Sequence, residues 1–391
     1  MAPTDSTKIV DSQENNEGEM PEEVPIGNKN FNAGGPMPFG KDMIDAAMGL
    51  QDLFNGFQNS QIVHTAVVLK INDIIGDGEL AAWEVADRLE CSVKYKHRDE
   101  LVSNVSRLLN ACVSLKVLKK TNASTYKNTV SGHLLKDNKL PFNDLFHFMP
   151  VLYRAFGRLA YNFSRGESND SIFDDKGMLK LVEVKEVNNQ ETITRKFGTV
   201  MSKMTSMDAK AILQNPRVQN LLKNIDVCCD IGGGNGTLAK CLAKKYPSTK
   251  FVVFDKSFPI NCTTKSDQPS TNLKFQSGDF FDKSTIPEAA IYILSHVLVD
   301  FGDQMGRKLL SNLHGCLKEG QSVLILEKIL RDDKSGPTDV VLYDMGMMAL
   351  HKGRERTKSE YFDMIYQAGF SKCEYISMGK SSKRDIILAT K

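Results

Sequence analysis

Residues 227–255 read VCCDIGGGNGTLAKCLAKKYPSTKFVVFD, and the rest of the chain can be read outward from them. An apolar run, Val227-Cys228-Cys229, stops at Asp230. Glycines follow at 232, 233, 234 and 236. From Thr237 to Tyr246 the apolar residues Leu238, Leu242 and Ala243 recur at helical spacing. A second apolar run, Phe251 to Phe254, stops at Asp255. Strand, glycine turn, helix, strand and acid form the first βαβ unit of a nucleotide-binding sheet. Each residue type has a reason. Glycine lets the backbone approach a ligand and take positive φ. The helix start after Gly236 offers unpaired N–H groups. A carboxylate at the end of the second strand can accept two hydrogen bonds from ribose hydroxyls.

Two cofactor classes satisfy these glycines. Gly234-x-Gly236-x-x-Ala239 matches the dinucleotide fingerprint, which admits NAD. Asp230 points elsewhere. It is expected at the mouth of the site, where it would repel a pyrophosphate and attract a cationic donor with a free amino group, such as S-adenosylmethionine.

The 391 residues are enough for two or three cores. A net charge of +2 gives no electrostatic case for nucleic acid or membrane partners. No apolar run is long enough to span a bilayer, and the polar, acidic N-terminus is unlike a secretory or transit signal. The eight cysteines form no Cys-x-x-Cys pair. They read as free thiols in a reducing, cytoplasmic compartment, with no metal expected.

Residues 1–40 lack the large apolar side chains a core needs and read as a disordered arm. Residues 41–140 show helical periodicity, in two segments (Leu53 to Phe57 and Ile62 to Ile71), then Leu80 to Leu89 and Leu101 to Val113. Two short strands, Val117 to Lys120 and Ser124 to Lys127, follow. This is a winged-helix order. Leu101 to Val113 is not basic, so dimerisation and roofing of a small-molecule site are preferred to DNA binding. Residues 141–222 read as a helical bridge with a loop at Ser164 to Lys176 and a helical pair over Ile193 to Leu213. His147, Tyr153, Phe197 and Met201 are candidate pocket residues there. Strand and helix then alternate over 223–391, which predicts an α/β domain with a mostly parallel, Rossmann-like sheet. Ala290 to Val299 reads as one strand ending at Asp300. Asp230, Asp255, Asp279, Asp300 and Glu327 all fall at strand ends, where such sheets bind ligands.

The runs CDIGGGNGTLAK, YPSTKFVVFD, FQSGDFF, IPEAAIYIL, LILEKIL, GRERTKSEYFDMIYQAGF and DIILATK together resemble the two-domain, S-adenosylmethionine-dependent small-molecule O-methyltransferases, most of all their hydroxyindole branch. The likeness is strongest from Val227 onward and continuous but weaker over 53–135. It implies a class I methyltransferase sheet, a winged-helix dimerisation domain and a homodimer. It implies that Asp230, Gly232, Gly233 and Gly234 hold the methionine part of the cofactor and that Asp255 binds the ribose. Gly278, Asp279 and Phe280 would take the adenine, with Asp279 at its exocyclic amine and Phe280 against its ring. His296 would touch the cofactor. Glu327 and Glu355 match two acids that orient a catalytic histidine.

That histidine is missing. The family's His-Asp-Trp segment reads Val299-Asp300-Phe301 here. A phenolic or indolic hydroxyl has a pKa of about 10, and losing a general base costs about 10²- to 10⁴-fold in rate. Three readings are open. The enzyme works on a more acidic hydroxyl or through another proton acceptor, such as His296 or His351. It methylates a nucleophile that needs no base. Or it is a cofactor-binding pseudoenzyme with a regulatory or partner-binding role. Without their histidine, Glu327 and Glu355 could also be solvated or paired with Arg354, Arg356 or Lys328.

Overall fold

The computed structural model describes residues 40–90, 97–121, 124–137, 140–165, 190–256, 270–350, 353–379 and 382–391. Most of the N-terminal arm, the loop expected to run on to Lys176, His351 and the side chain of Phe197 lie outside the described residues.

The N-terminal part is helical. Helix α1 (Lys41–Val68) is continuous where two segments are expected. Gly49 and Gly56 lie within it, and isolated glycines weaken a helix by about 1 kcal/mol without breaking it. After α2 (Ile71–Ile75) comes a short strand β1 (Glu79–Ala81), then α3 (Ala82–Glu90), α4 (Arg98–Ser114), β2 (Leu118–Lys120) and β3 (Thr125–Asn128). The wing therefore has three strands, ordered β1-β3-β2 and antiparallel. The sequence reading placed Leu80 and Ala81 in the following helix. They pair with β3 instead, and the Ala81 N–H donates to the Glu84 carboxylate at 2.7 Å as α3 begins. Val67, Ile71, Val85, Leu101, Leu109 and Leu118 form the core of this part.

Helices α5 (Val130–Leu134), α6 (Phe142–Gly157), α7 (Leu159–Arg165), α8 (Gln190–Gln214) and α9 (Pro216–Leu222) follow. The expected helical pair over 193–213 is one helix, α8, with no internal glycine or proline in its second half to divide it. Tyr153 on α6 bonds through its hydroxyl to Ser60 and, at 3.3 Å, to the Phe57 carbonyl, so it joins α6 to α1. Lys203 on α8 pairs with Asp144 on α6. His147 on α6 and Met201 on α8 are half-buried.

The rest is the sheet. In chain order its elements are β4 (Val227–Ile231), α10 (Thr237–Lys245), β5 (Lys250–Asp255), β6 (Leu273–Ser277), β7 (Ile291–Ser295), α11 (Asp303–Cys316), β8 (Ser322–Glu327), β9 (Ile329–Leu330), α12 (Thr338–Leu350), β10 (Arg356–Thr357), α13 (Lys358–Gln367), β11 (Lys372–Ile376) and β12 (Asp385–Thr390). Seven strands run in the order β11-β12-β8-β7-β4-β5-β6. All pairings are parallel except those of β12 with its two neighbours. Alternate residues face opposite ways. Cys229, Ile231, Phe254, Tyr292 and Leu294 pack with α11 and α13, whereas Cys228, Val253, Ile293 and Leu326 pack with α8 and α10. Covering both faces explains why the strands read as unbroken apolar runs. Strand β4 pairs with β5 on one side and β7 on the other. The strand order reverses there, and ligands of open α/β sheets bind beyond the carboxyl ends of strands at such a point.

Candidate active site

The carboxyl rim of β4, β5 and β6 carries the glycine turn. Gly232, Gly234 and Gly236 all have positive φ, between 53° and 76°. The Gly232 N–H donates to the Phe254 carbonyl at 2.8 Å, fastening the turn to β5. A side chain on Gly233 would meet the Asp230 carboxyl at 2.8 Å, and one on Gly236 would meet Val253 at 2.9 Å. Gly234 differs: space beyond its Cα is open. The turn is therefore packed beneath and clear above, the shape of a cradle. Asp255 stands beside it, half-exposed, accepting the Gly234 N–H at 2.9 Å and the Lys256 N–H at 2.7 Å. A carboxylate has about four acceptor positions, so two remain for hydroxyl donors.

Asp230 is not at the mouth. It is buried within β4, beneath the Gly233 turn, and its Oδ2 has no partner. Burial, with a smaller push from Asp255, raises its pKa to about 7, against the Ala239 N–H from the first turn of α10. The residue is near the end of its strand, but α10 and the turn close over it.

Gly278 leaves no room for a side chain, which would lie 2.5 Å from the Phe254 ring. Asp279 accepts the Phe281 N–H at 2.9 Å and faces Lys256 at 3.4 Å. Phe280 is buried, edge-to-face with both Phe281 and Phe301, and Phe301 packs on Phe281 as well. Sequence reasoning treated Phe301 only as a replaced tryptophan; it completes an apolar wall beside the rim. An open glycine cradle, a half-exposed strand-end carboxylate and this wall fit an adenosyl cofactor.

The rim of β7 and β8 is built differently. Strand β7 stops at Ser295, not at Val299, because His296 adopts a left-handed conformation with φ 61°. Residues 298–300 then form a 3-10 turn. Glu327, at the end of β8, holds the turn: its Oε1 accepts the N–H groups of Val297 and Leu298, each at 3.0 Å. His296 points its Nε2 at Asp208 of α8, 3.0 Å away, and Asp208 also accepts Arg384 at 2.9 Å and Ser382 at 3.1 Å. Burial, then the Arg384 charge, push the imidazole down to about 4 despite Asp208. The bonds from His296 and Arg384 hold Asp208 below its ordinary value, against the opposing effect of burial.

Glu355 reaches this rim from the other side. The parallel pairing of β9 with β10 sets Arg356 beside Ile329, so Glu355 adjoins Lys328. The Arg354 N–H donates to the Val299 carbonyl at 2.9 Å, and a side chain on Gly353 would collide with that oxygen at 2.0 Å. Glu355 is buried, its N–H donates to Asp344 at 2.7 Å, and its Oε2 has no partner. Burial, with Glu355 beside it, raises Glu327 to about 8; burial raises Glu355 to about 7, against the Lys328 and Arg384 charges. Neither acid is solvated. Among the described residues the three cations that could pair with them are engaged elsewhere: Lys328 with Asp339 at 3.4 Å, Arg354 with Asp303 and Glu360, and Arg356 with Asp303.

Sequence reasoning offered Arg356 only as a partner for the two acids and missed what it does. Fully buried, it donates to the carbonyls of Leu298 at 3.0 Å and Phe301 at 2.6 Å and so staples the turn that carries Val299. A cation immediately after Glu355 was its only trace in the sequence. Asp208 and Arg384 were missed too, and nothing local marks them.

An α/β domain with an adenosyl-type cradle at its switch point, preceded by a winged helical region, is the class of molecule these features define. The chain belongs to the O-methyltransferase family: residues 157–371 match its O-methyltransferase domain and residues 51–137 its O-methyltransferase dimerisation domain. Human acetylserotonin O-methyltransferase is 31% identical, over 88% of this chain and 97% of that relative. The chicken acetylserotonin O-methyltransferase is 27% identical, over 83% and 92%. Among solved structures, human N-acetylserotonin methyltransferase in complex with S-adenosylmethionine aligns with a TM-score of 0.73 and 28% identity, over 90% of this chain and 99% of that one. The calicheamicin-biosynthesis methyltransferase CalO1, with S-adenosylhomocysteine bound, shares the fold at a TM-score of 0.72.

Proposed function

We propose that this chain is an S-adenosylmethionine-dependent O-methyltransferase acting on a small aromatic hydroxyl, phenolic or indolic. The carrying observation is the glycine turn that is closed beneath, open above Gly234 and flanked by the Asp255 carboxylate. Gly232 to Gly234 and the buried Asp230 cradle the methionine part. Asp255 takes the ribose hydroxyls. Gly278, Asp279 and Phe280 receive the adenine, and the aromatic wall gives it an apolar face. His296, fixed by Asp208, borders the cofactor. Glu327 and Glu355 serve the proton. The bound cofactor supplies an electrophilic methyl group on sulfonium; the protein orients the hydroxyl toward it and excludes water.

Val299 favours a second reading, in which the chain binds cofactor without chemistry. Calorimetry with S-adenosylmethionine, followed by turnover of radiolabelled cofactor on phenols and N-acetylserotonin, tests both. Binding with transfer is expected. Binding without transfer to any acceptor would establish the second reading, and no binding would remove both.

The working unit is proposed as a homodimer. Leu53, Phe54 and Phe57 on α1 are all more than half exposed, an apolar stripe within the dimerisation-domain match that a second copy would cover. Sedimentation as a monomer would contradict this. No helix among the described residues is long and apolar enough to cross a membrane. The six described cysteines carry free thiols, which suits the cytoplasm.

A further inference from the structure

The position that should hold a base holds Val299, so the hydroxyl proton needs another acceptor. The groups at the β7 and β8 rim can be tested one by one. His296 is spent on Asp208 and shielded by burial, and its imidazole is a weak base at about 4. Lys328 is held as a cation, 3.4 Å from Asp339 and 3.9 Å above the Tyr343 ring. Asp300, although desolvation of its carboxyl raises it to about 7, sits at the exposed end of the turn and has no buried acceptor left without a donor. Glu327 has one oxygen committed to two backbone N–H groups. Glu355 remains. It is 3% exposed, and its Oε2 is a buried acceptor without a donor. Such an atom costs about 1–3 kcal/mol unless something satisfies it. The backbone just before it is locked to Val299, through the Arg354 N–H and the close approach of Gly353.

Resting on the methyltransferase reading above, we propose that Glu355 itself is the general base: its Oε2 accepts the hydroxyl proton that an imidazole would take in place of Val299. The substrate O–H donates to Oε2. As the oxygen–methyl bond forms and the carbon–sulfur bond breaks, the O–H electrons pass to oxygen, the sulfur leaves as the neutral thioether and the proton stays on Glu355. The surroundings are tuned for this. Burial disfavours the charged carboxylate most, and Glu327 of β8 and Asp344 of α12 add to this, while Lys328 just after β8, Arg384 just before β12 and the neighbouring Arg356 keep the carboxylate attainable. A base is most effective when it titrates near the working pH, and Glu355, at about 7, does so.

Glu355→Gln in the full chain tests this by two readouts. The first is infrared difference spectroscopy of the unloaded protein between pH 6 and pH 8. The wild type should show protonated-carboxyl carbonyl absorption that decreases at the higher pH, with Asp230 and Glu327 contributing part of it, and the variant should have lost the Glu355 share of that decrease. The second compares two acceptors at pH 8, an ordinary phenol and 4-nitrophenol, which is largely ionised there. Transfer to the ordinary phenol should fall at least about 100-fold in the variant, and transfer to 4-nitrophenol less than about tenfold, because it needs no base. Equal losses on both acceptors would make Glu355 a positioning residue and overturn the proposal, as would an unchanged infrared band. Absence of cofactor binding, or of transfer by the wild type to every hydroxyl, would instead sink the methyltransferase reading and this proposal with it.

Discussion

The two halves of the sheet's carboxyl rim solve different problems. Around β4, β5 and β6, nearly every functional feature is backbone or an acid beside it: three glycines at positive φ, Asp255 bonded to the turn, and Gly278 under Phe254. Around β7 and β8 the rim is made of side chains from distant segments, with Glu327 capping a turn, Arg356 stapling its carbonyls and Glu355 left with an unmatched oxygen. The first half depends on local shape and tolerates little change. The second depends on charges placed in an apolar interior, where one side chain can be exchanged and its neighbours retuned by burial. Val299 and the proposed change of base fall in the second half, while the glycine turn of the first keeps its open face at Gly234.

The largest effect should come from the cradle. Asp255→Ala removes the two charge-assisted hydrogen bonds proposed to the ribose and the anchor of the Gly234 N–H. At about 1.5 kcal/mol per bond, binding of S-adenosylmethionine should weaken about 100-fold. Calorimetry reads this directly. A loss below about fivefold would mean that Asp255 serves the turn alone.

Val299→His comes next. With Glu355 already taking the proton, an imidazole at 299 adds reach and a donor for the orphaned Oε2. Transfer at pH 7 should rise about tenfold, less than a general base contributes when none is present. Single-turnover rates distinguish the cases: a gain beyond about 10³-fold would show Glu355 idle in the wild type.

How much of this was legible follows the same division. Val227 to Asp255 could be read because each residue type there answers a local need, and Ser322 to Glu327 emerged as the strand it resembles. The turn at 296–300 could not. His296 takes a glycine-like conformation because Glu327, from the next strand, captures the Val297 and Leu298 N–H groups. Asp208 and Arg384 meet across 176 positions of sequence. Asp230 misled for a related reason: a strand-end position predicts exposure, and only the packed fold shows α10 and Gly233 covering it.

Burial of carboxyls in both halves makes stability depend on pH. Asp230 and Glu355, at about 7, and Glu327, at about 8, hold protons in the folded state that the unfolded chain releases near the ordinary values of 3.8 and 4.5. The folded state binds more protons, so stability falls as pH rises through this range. His296, lowered to about 4, has the opposite sign, but its contribution is complete above about pH 6.5. Between pH 6.5 and 8 the carboxyls therefore act without that opposition. Glu355→Gln should flatten the decline by about 1 kcal/mol, measured as the change in urea midpoint at the two pH values. A slope identical to wild type would place the Glu355 pKa outside this window.

The smallest effect calibrates the others. Arg217 of α9 grips Glu374 of β11 with three N–H···O contacts of 2.7 to 3.2 Å, good geometry for a carboxylate. Both side chains are about a third or more exposed. Here the arginine's bonds lower the acid's pKa, the reverse of what burial does to Glu355. Water screens the pair, so its strength should be modest despite its shape. Arg217→Ala should cost about 0.5 kcal/mol, shrink further in high salt, and leave cofactor binding and transfer unchanged. Denaturation at low and high ionic strength checks it. A loss above about 2 kcal/mol, insensitive to salt, would mean that the outer edge of the sheet is as desolvated as its β7 and β8 rim, and the contrast between an exposed paired carboxylate and a buried unpaired one could no longer explain why Glu355 is free to take a proton.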